Sequence, residues 1–234
     1  MHSMFNTDVY SPAEIFWYAG GFLAWTPAYV AIIYRAVKRN QLEIPVVAAI
    51  GNITWELLWG FAYKQNMGWG LDIIYKGAFI IDVLIFWAVI RFGAEQIRKP
   101  EVRRYFPYFV AALVVGWIAF YAGLKNGHYE LPLGSIGAYL DNIEMSALYL
   151  WLGLSLADPR SLSPVVAWSK GFGTAMVTVF VFLHYPDDAL LTTLAVMVGA
   201  MDIAYIVVLT SRLRRLDAVP DGLERASVAV LSGT

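Results

Sequence analysis

The sequence contains no cysteine, so disulfide bonds, thiolate nucleophiles and cysteine-ligated metals are all excluded. Charge is also scarce, because Asp, Glu, Lys and Arg make up 15% of the residues, against about 25% in an ordinary soluble domain. The formal net charge is −1, so nothing indicates a nucleic-acid partner. The three histidines lie at a terminus or in loops, without metal-ligand spacing, and we predict no metal site.

Several catalytic signatures are absent. There is no G-x-S-x-G elbow and no glycine-rich phosphate loop. The pair Asp187–Asp188 lacks the third acid of a box that would hold magnesium and a diphosphate, and we interpret it as a solvated turn. The last apolar stretch has no lysine, and Lys170 near the start of the sixth is no substitute, which argues against a retinal protein.

Apolar residues are abundant instead, at 59% of the chain with a mean hydropathy of +0.57. They fall into blocks long enough to cross a bilayer, for which a helix needs about 20 residues. We predict seven transmembrane helices at residues 14–37, 43–63, 71–94, 106–125, 133–157, 163–184 and 188–212. The expected fold is an all-α seven-helix bundle forming one domain at residues 1–215, with a flexible cytosolic tail at residues 216–234. The chain is therefore expected to be a multi-pass protein of the lipid bilayer.

Basic residues are concentrated in alternate connections between these helices. The junction of the first and second predicted helices carries Arg35, Lys38 and Arg39, and the end of the seventh carries Arg212, Arg214 and Arg215. The connection between the third and fourth carries Arg98, Lys99, Arg103 and Arg104. The opposite connections hold Lys64 and Lys125 and are mostly acidic. Because cytoplasmic loops are enriched in Lys and Arg, we predict an external N-terminus and a cytosolic C-terminus.

Two carboxylates lie where a membrane helix should be apolar, Glu56 in the second predicted helix and Asp202 in the seventh. Such a group costs roughly 2.5–3.5 kcal/mol on insertion scales, and it is usually functional. Helical spacing places Glu56 on one face with Asn52, Trp59 and Tyr63. We expect this face to point into the interior of the bundle. It would form either a functional site or a structural cluster with hydrogen bonds to other helices.

Asp202 shares a helical face with Tyr205, and its own helix has no basic residue before Arg212. Unless another helix supplies a cation, burial favours the neutral acid, which can donate a proton. The alternative is a single interhelical hydrogen bond. Further candidates at membrane depth are the acids Asp82, Asp141 and Glu144, and Lys76 could pair with one such acid. Aromatic side chains that could form the walls of a site are Trp55, Trp59, Tyr149 and Tyr205.

The segment Asn52-Ile53-Thr54-Trp55-Glu56, together with Asp202 in the last helix, resembles the small integral-membrane terpene cyclases of meroterpenoid and indole-terpenoid pathways. That family has about this length and seven spans. The resemblance implies that Glu56 and Asp202 are an essential acid pair. It implies protonation of a terminal alkene or epoxide on a prenyl chain, followed by cationic ring closure without metal or cofactor.

The resemblance extends to the bacterial, drimentine-type members, which implies a farnesylated indole substrate. We interpret Glu56 as the general acid, oriented by Asn52, while Asp202 assists it or receives the terminal proton. Asp82, Asp141 and Glu144 leave the assignment of acid and base open. A pathway prenyltransferase is a candidate partner. The membrane would be the plasma membrane in a bacterium and the endoplasmic reticulum in a fungus.

Two other functions compete with this hypothesis. The intramembrane acids could form the proton relay of a proton-coupled small-molecule transporter. The chain lacks the inverted repeat of many transporters, and few of its helices are broken by Gly or Pro. A seven-helix receptor would need a cytosolic surface for a partner, and the short loops argue against it.

Overall fold

The fold consists of seven α-helices in a computed structural model that describes residues 3–97 and 99–218. No β-strand occurs in those ranges, which confirms the predicted all-α seven-helix class. The helices are α1 (Pro12–Arg39), α2 (Val46–Leu57), α3 (Trp69–Phe92), α4 (Phe106–Asn126), α5 (Ser135–Ser155), α6 (Pro164–His184) and α7 (Ala189–Asp217).

Five of these helices are long and apolar enough to cross a membrane, namely α1, α3, α4, α6 and α7. Helix α2 is shorter, and α5 carries Asp141 and Glu144 within its 21 residues. The direction of the chain across the membrane stays a prediction. The predicted tail, residues 216–234, lies mostly outside the described residues, and α7 continues to Asp217.

The helix starts follow local sequence signals. Ser11 and Glu14 form a capping box at the start of α1, where Pro12 occupies the first helical turn. Asp188 accepts a hydrogen bond from the backbone N–H of Leu191 at 2.9 Å, so it caps α7. The turn that we interpreted as solvated therefore starts the last helix.

Helix α2 changes its geometry just after Glu56. Residues Leu58–Ala62 form a π-helical turn, in which one extra residue is inserted per turn. Side chains beyond this turn, such as Tyr63, therefore leave the face that a regular 3.6-residue repeat predicts. Trp59, near the start of the turn, packs among buried aromatic residues beside Gly134, while Asn52 and Glu56 line a cavity. Such turns are frequent at functional sites.

The start of α5 is fixed by a glycine and a carboxylate. Gly134 has φ of 76°, in the left-handed region that favours glycine, and its carbonyl accepts a hydrogen bond from Trp55 Nε1 at 3.1 Å. The Glu130 carboxylate accepts hydrogen bonds from the N–H groups of Ile136 at 2.9 Å and Gly137 at 2.8 Å. These bonds satisfy N–H groups that the helix cannot pair itself.

The interior contains two apolar clusters. One cluster contains the C-terminal half of α1, the start of α2 and parts of α3 to α7. It includes Tyr149 and Tyr205. The other includes Trp55, Trp59 and Tyr75 near the opposite end of α2. Helix α1 packs closely on α6, and α5 on α7.

Candidate active site

Glu56 is paired with a carboxylate of the neighbouring helix. Its carboxyl group lies close to that of Asp82 on α3, and each residue is 2% exposed. Glu56 Oε2 and Asp82 Oδ1 have no hydrogen-bond partner among the described residues. Two neighbouring buried carboxyl groups repel each other when both are ionised, which favours the neutral form of one of them. Such a pair is suited to retaining a proton inside the bundle.

Asn52, one turn before Glu56 in α2, is hydrogen-bonded to Asp82. Its side-chain nitrogen donates to Asp82 Oδ2 at 2.6 Å and to the hydroxyl oxygen of Tyr29 at 3.2 Å. The amide thus stabilises charge on Asp82 and leaves Glu56 as the member of the pair without an amide donor. This geometry favours placing the shared proton on Glu56.

Glu56 faces a cavity that is lined by both aromatic and polar side chains. The polar part of the lining is Asn52, Glu56, Ser135, Asp141, Asn142 and Thr174. The aromatic part of the lining is Tyr18, Phe22, Trp25, Trp55 and Tyr139. Aromatic faces attract cations through their quadrupoles, so these walls suit a positively charged intermediate. We call this space the acid cavity.

Two further predicted acids lie on α5 and point in different directions. Asp141 is 2% exposed and lines the acid cavity together with Glu56. Its Oδ1 atom lies against Gly51 of α2 and has no hydrogen-bond partner among the described residues. Glu144 is half-buried and faces a shallow groove beside Trp117 and Phe120. Of these two acids, Asp141 is the one that lines the acid cavity with Glu56.

Asp202 has a cation as its partner, which the sequence of its own helix does not indicate. Lys170 Nζ of α6 lies 2.7 Å from Asp202 Oδ1 and donates to Ser146 Oγ at the same distance. Ser146 in turn donates to Asp202 Oδ1 at 2.7 Å. All three side chains are buried. The expected neutral acid is therefore an ion pair, because a neighbouring helix supplies the cation.

Lys170, and not Asp202, lines a second cavity. This space adjoins the acid cavity, because Trp25, Asn52 and Asn142 contribute to the walls of both. Tyr149 lines it too, and its hydroxyl group is buried without a hydrogen-bond partner among the described residues. We call it the lysine cavity. Glu56 thus lines the acid cavity, whereas Asp202 contacts the adjoining lysine cavity through Lys170.

The predicted aromatic walls divide into two groups. Trp55 lines the acid cavity and Tyr149 lines the lysine cavity. Trp59 and Tyr205 lie behind these walls: Trp59 packs on Trp55 with ring centroids 6.1 Å apart, and Tyr205 packs on Tyr149 at 5.3 Å. The exposed Lys76 is placed over the ring of Phe61, 6.0 Å from its centre, and not beside the carboxyl pair.

The sequence of this bundle matches a known family. The sequence pattern of the Pyr4-like transmembrane terpene cyclases aligns with residues 10–215. The chain belongs to this family. The match covers all seven helices, so the family resemblance noted in the sequence is confirmed for the whole bundle. The bacterial assignment stays a prediction.

Curated relatives of this cyclase agree with the family. The Pyr4-family terpene cyclase mfmH of Annulohypoxylon moriforme is 25% identical over 171 residues, covering 71% of this chain and 70% of the relative. Terpene cyclase atmB of Aspergillus flavus is 22% identical over 185 residues, or 74% and 73% of the two chains. Terpene cyclase pyr4 of Aspergillus fumigatus is 20% identical over 203 residues, or 82% and 83%. No solved structure matches the chain.

The sequence did not identify several residues of this cyclase that contact the predicted site. Tyr29, Ser146 and Lys170 bond directly to Asn52 or Asp202. Lys170 lies six residues after the start of α6 at Pro164, which is deep enough to reach the ion pair. The position of Lys170 within an apolar helix could have indicated an acidic partner, since a buried lysine is almost always paired. Ser146 and Tyr29 gave no comparable signal.

Proposed function

We propose that this membrane terpene cyclase starts ring closure by donating the proton of the Glu56–Asp82 pair to a prenylated substrate. The observation that carries the proposal is that Glu56, buried beside the carboxyl group of Asp82, lines a cavity with five aromatic side chains in its wall. A neutral carboxylic acid in a dry site can act as a general acid, and Asn52 positions this one through Asp82. The resemblance supports a farnesylated indole as the substrate.

The reaction balances without a co-reactant. The O–H bond of Glu56 breaks as a C–H bond forms at the terminal alkene, or an O–H bond forms at a terminal epoxide. The cation left on the prenyl chain is attacked by successive alkenes, which closes the rings. The last cation loses a proton to a carboxylate, so a product formed from the alkene is an isomer of its substrate.

Asp141 is the carboxylate that we propose as the final proton acceptor. It lines the same cavity as Glu56, it lies on the facing helix α5, and its Oδ1 atom has no hydrogen-bond partner in the part of the chain that the structure describes. Asp202 holds Lys170 and Ser146 in place. A direct role of Asp202 in proton transfer stays a prediction. So do the roles of Trp59, Tyr205 and Glu144 in substrate binding.

We also propose that the reaction needs no metal ion. Among residues 3–97 and 99–218, no group of three or more His, Asp or Glu side chains is arranged to hold one. The acids of the site bond instead to an amide, to each other or to a lysine. No diphosphate leaves in a reaction that begins by protonation, so no metal-bound leaving group has to be stabilised.

Deuterium labelling tests the proposed initiation. Membranes containing the cyclase are supplied with a farnesylated indole in deuterium oxide, and the product is analysed by mass spectrometry. We expect a cyclised isomer with one deuterium bound to carbon, because the acid exchanges with solvent before donating. The epoxidised analogue should give a product without retained deuterium, since its O–D group exchanges. Cyclised alkene product without carbon-bound deuterium would contradict the proposal.

A further inference from the structure

Three buried side chains that line the acid cavity beside Glu56 have an oxygen without a partner. These oxygens are Ser135 Oγ, Asp141 Oδ1 and Thr174 Oγ1, and none is hydrogen-bonded within the described part of the chain. Ser135 is 4% exposed, and the other two residues are 2% exposed. Most buried polar groups in proteins bond to another protein group or to ordered water. Unpartnered oxygens around one cavity therefore indicate a shared partner.

The size of the acid cavity determines which partner fits. Its volume is about 30 Å³, whereas pockets for drug-sized ligands have roughly 300–1,000 Å³. A cavity holds a water molecule when it offers about 10–15 Å³ or more and roughly two to four polar partners, while apolar cavities stay dry. The acid cavity meets both conditions. One or two water molecules fit this space, and a prenyl chain does not.

The polar groups of the cavity belong to three helices that surround it. Glu56 lies on α2, Ser135 and Asp141 lie on α5, and Thr174 lies on α6. A hydroxyl group can donate or accept, so Ser135 and Thr174 can orient a water molecule in either direction. Water both donates and accepts, so it can bond to a protonated carboxyl group and to an ionised carboxylate at once. Water in this cavity therefore connects Glu56 with Asp141.

We propose that the acid cavity of the substrate-free enzyme binds water at Ser135 and Thr174, and that this water returns the proton from Asp141 to Glu56 after each turnover. The assignment rests on the proposed cyclisation, in which Glu56 gives a proton and Asp141 receives one. After product release, the O–H bond of Asp141 breaks as water takes up this proton, and water passes one of its other protons to Glu56. The water is regenerated, and no co-reactant is consumed.

The substrate and the water exclude each other from the cavity. A prenyl chain needs more room than about 30 Å³, so it widens the cavity when it binds and displaces the water. The cation then forms without water beside it, which prevents its capture as an alcohol. Ser135 and Thr174 are therefore positioning residues that act between turnovers and not during ring closure.

An experimental structure of the substrate-free protein tests the water site without requiring turnover. The full-length wild type and Thr174→Val are crystallised in lipid, at a resolution that shows ordered water. We expect density in the acid cavity within hydrogen-bond distance of Thr174 Oγ1 and of the carboxyl group of Glu56 or Asp141. Valine has the shape of threonine without its hydroxyl group, so this density should be weaker in the variant. A wild-type cavity without water density would overturn the proposal.

The timing of product formation tests the return of the proton. Each enzyme molecule starts with a protonated Glu56, so its first turnover does not depend on the water. For Thr174→Val and Ser135→Ala we expect a first turnover within about twofold of the wild-type rate and a steady-state rate about tenfold or more lower, since positioned proton transfer is impaired. Product is quantified after rapid mixing of the purified protein with a farnesylated indole, before and after one product per enzyme has formed.

Thr193→Val is the matched control for these variants, because Thr193 is an exposed residue of α7 outside the cavity. It should leave both rates unchanged. A slower first turnover in both cavity variants would overturn the proposal, since the hydroxyl groups would then act during ring closure. Wild-type steady-state rates in both would overturn it as well. A wild type that forms no cyclised product would reject the proposed reaction, and the water density alone would then decide the water site.

Discussion

Glu56→Gln is expected to lower the rate of cyclisation by at least about 100-fold, because positioned proton transfer typically contributes roughly 10²–10⁴-fold. Glutamine has nearly the same shape as glutamic acid, and its amide can still donate to Asp82. The hydrogen bond across α2 and α3 is therefore kept while the transferable proton is lost. The rate is measured as product formed in membranes at saturating substrate.

Glu101→Gln is the control for this substitution. Glu101 is exposed in the short helix Pro100–Tyr105, outside both cavities, so its replacement should leave the rate unchanged. Asp82→Asn should also slow the reaction, since Glu56 would lose the neighbouring carboxylate that favours its protonated form. Wild-type turnover by Glu56→Gln would reject Glu56 as the proton donor, provided that the variant protein is present at the wild-type level.

Gly134→Ala is expected to destabilise the protein more than a comparable substitution elsewhere. The left-handed backbone at φ 76° disfavours a side chain, which costs roughly 1–2 kcal/mol. The new Cβ atom would also lie 2.5 Å from Trp59 Nε1 and 2.8 Å from Trp55 Cζ2. Overpacking of this kind typically costs about 1–3 kcal/mol. The two effects together give a loss of about 2–5 kcal/mol.

The loss is measured as a shift in Tm of the detergent-solubilised protein, for which we expect a decrease of about 5 °C or more. Gly116→Ala and Gly199→Ala are matched controls, since a Cβ atom at either helical position meets nothing within 4 Å. These controls should match or exceed the wild-type Tm, because alanine favours helices. A Tm for Gly134→Ala equal to that of the controls would contradict a left-handed Gly134 packed against Trp55 and Trp59 at the start of α5. The indole of Trp55 would then be positioned by other contacts.

The fold was largely predictable because the relevant signals are local. Apolar runs and prolines predicted the helices, and α6 begins at Pro164, one residue after the expected start at 163. Helix α1 extends to Arg39, two residues beyond the prediction, because basic residues are favourable at a helix C-terminus. The π-helical turn of Leu58–Ala62 was not predictable from the repeat.

The partners of the acids depended on how the helices pack. The sequence indicated that Glu56 and Asp202 are unusual, but a helical repeat does not show which neighbour each helix faces. Asp82 was one of several acids at a similar depth, and the packing of α2 on α3 makes it the partner of Glu56. Lys170 likewise reaches Asp202 because α6 packs on α7. Long-range packing, and not composition, assigns these pairs.

The proton that we propose for the Glu56–Asp82 pair can be tested directly by infrared spectroscopy of the purified protein at neutral pH. A protonated carboxyl group has a carbonyl stretch that an ionised carboxylate lacks. We predict that the difference spectrum between the wild type and Glu56→Gln contains this band, and that it shifts in deuterium oxide. A difference spectrum with only ionised carboxylate bands would contradict the account, because Glu56 would then have no proton to give.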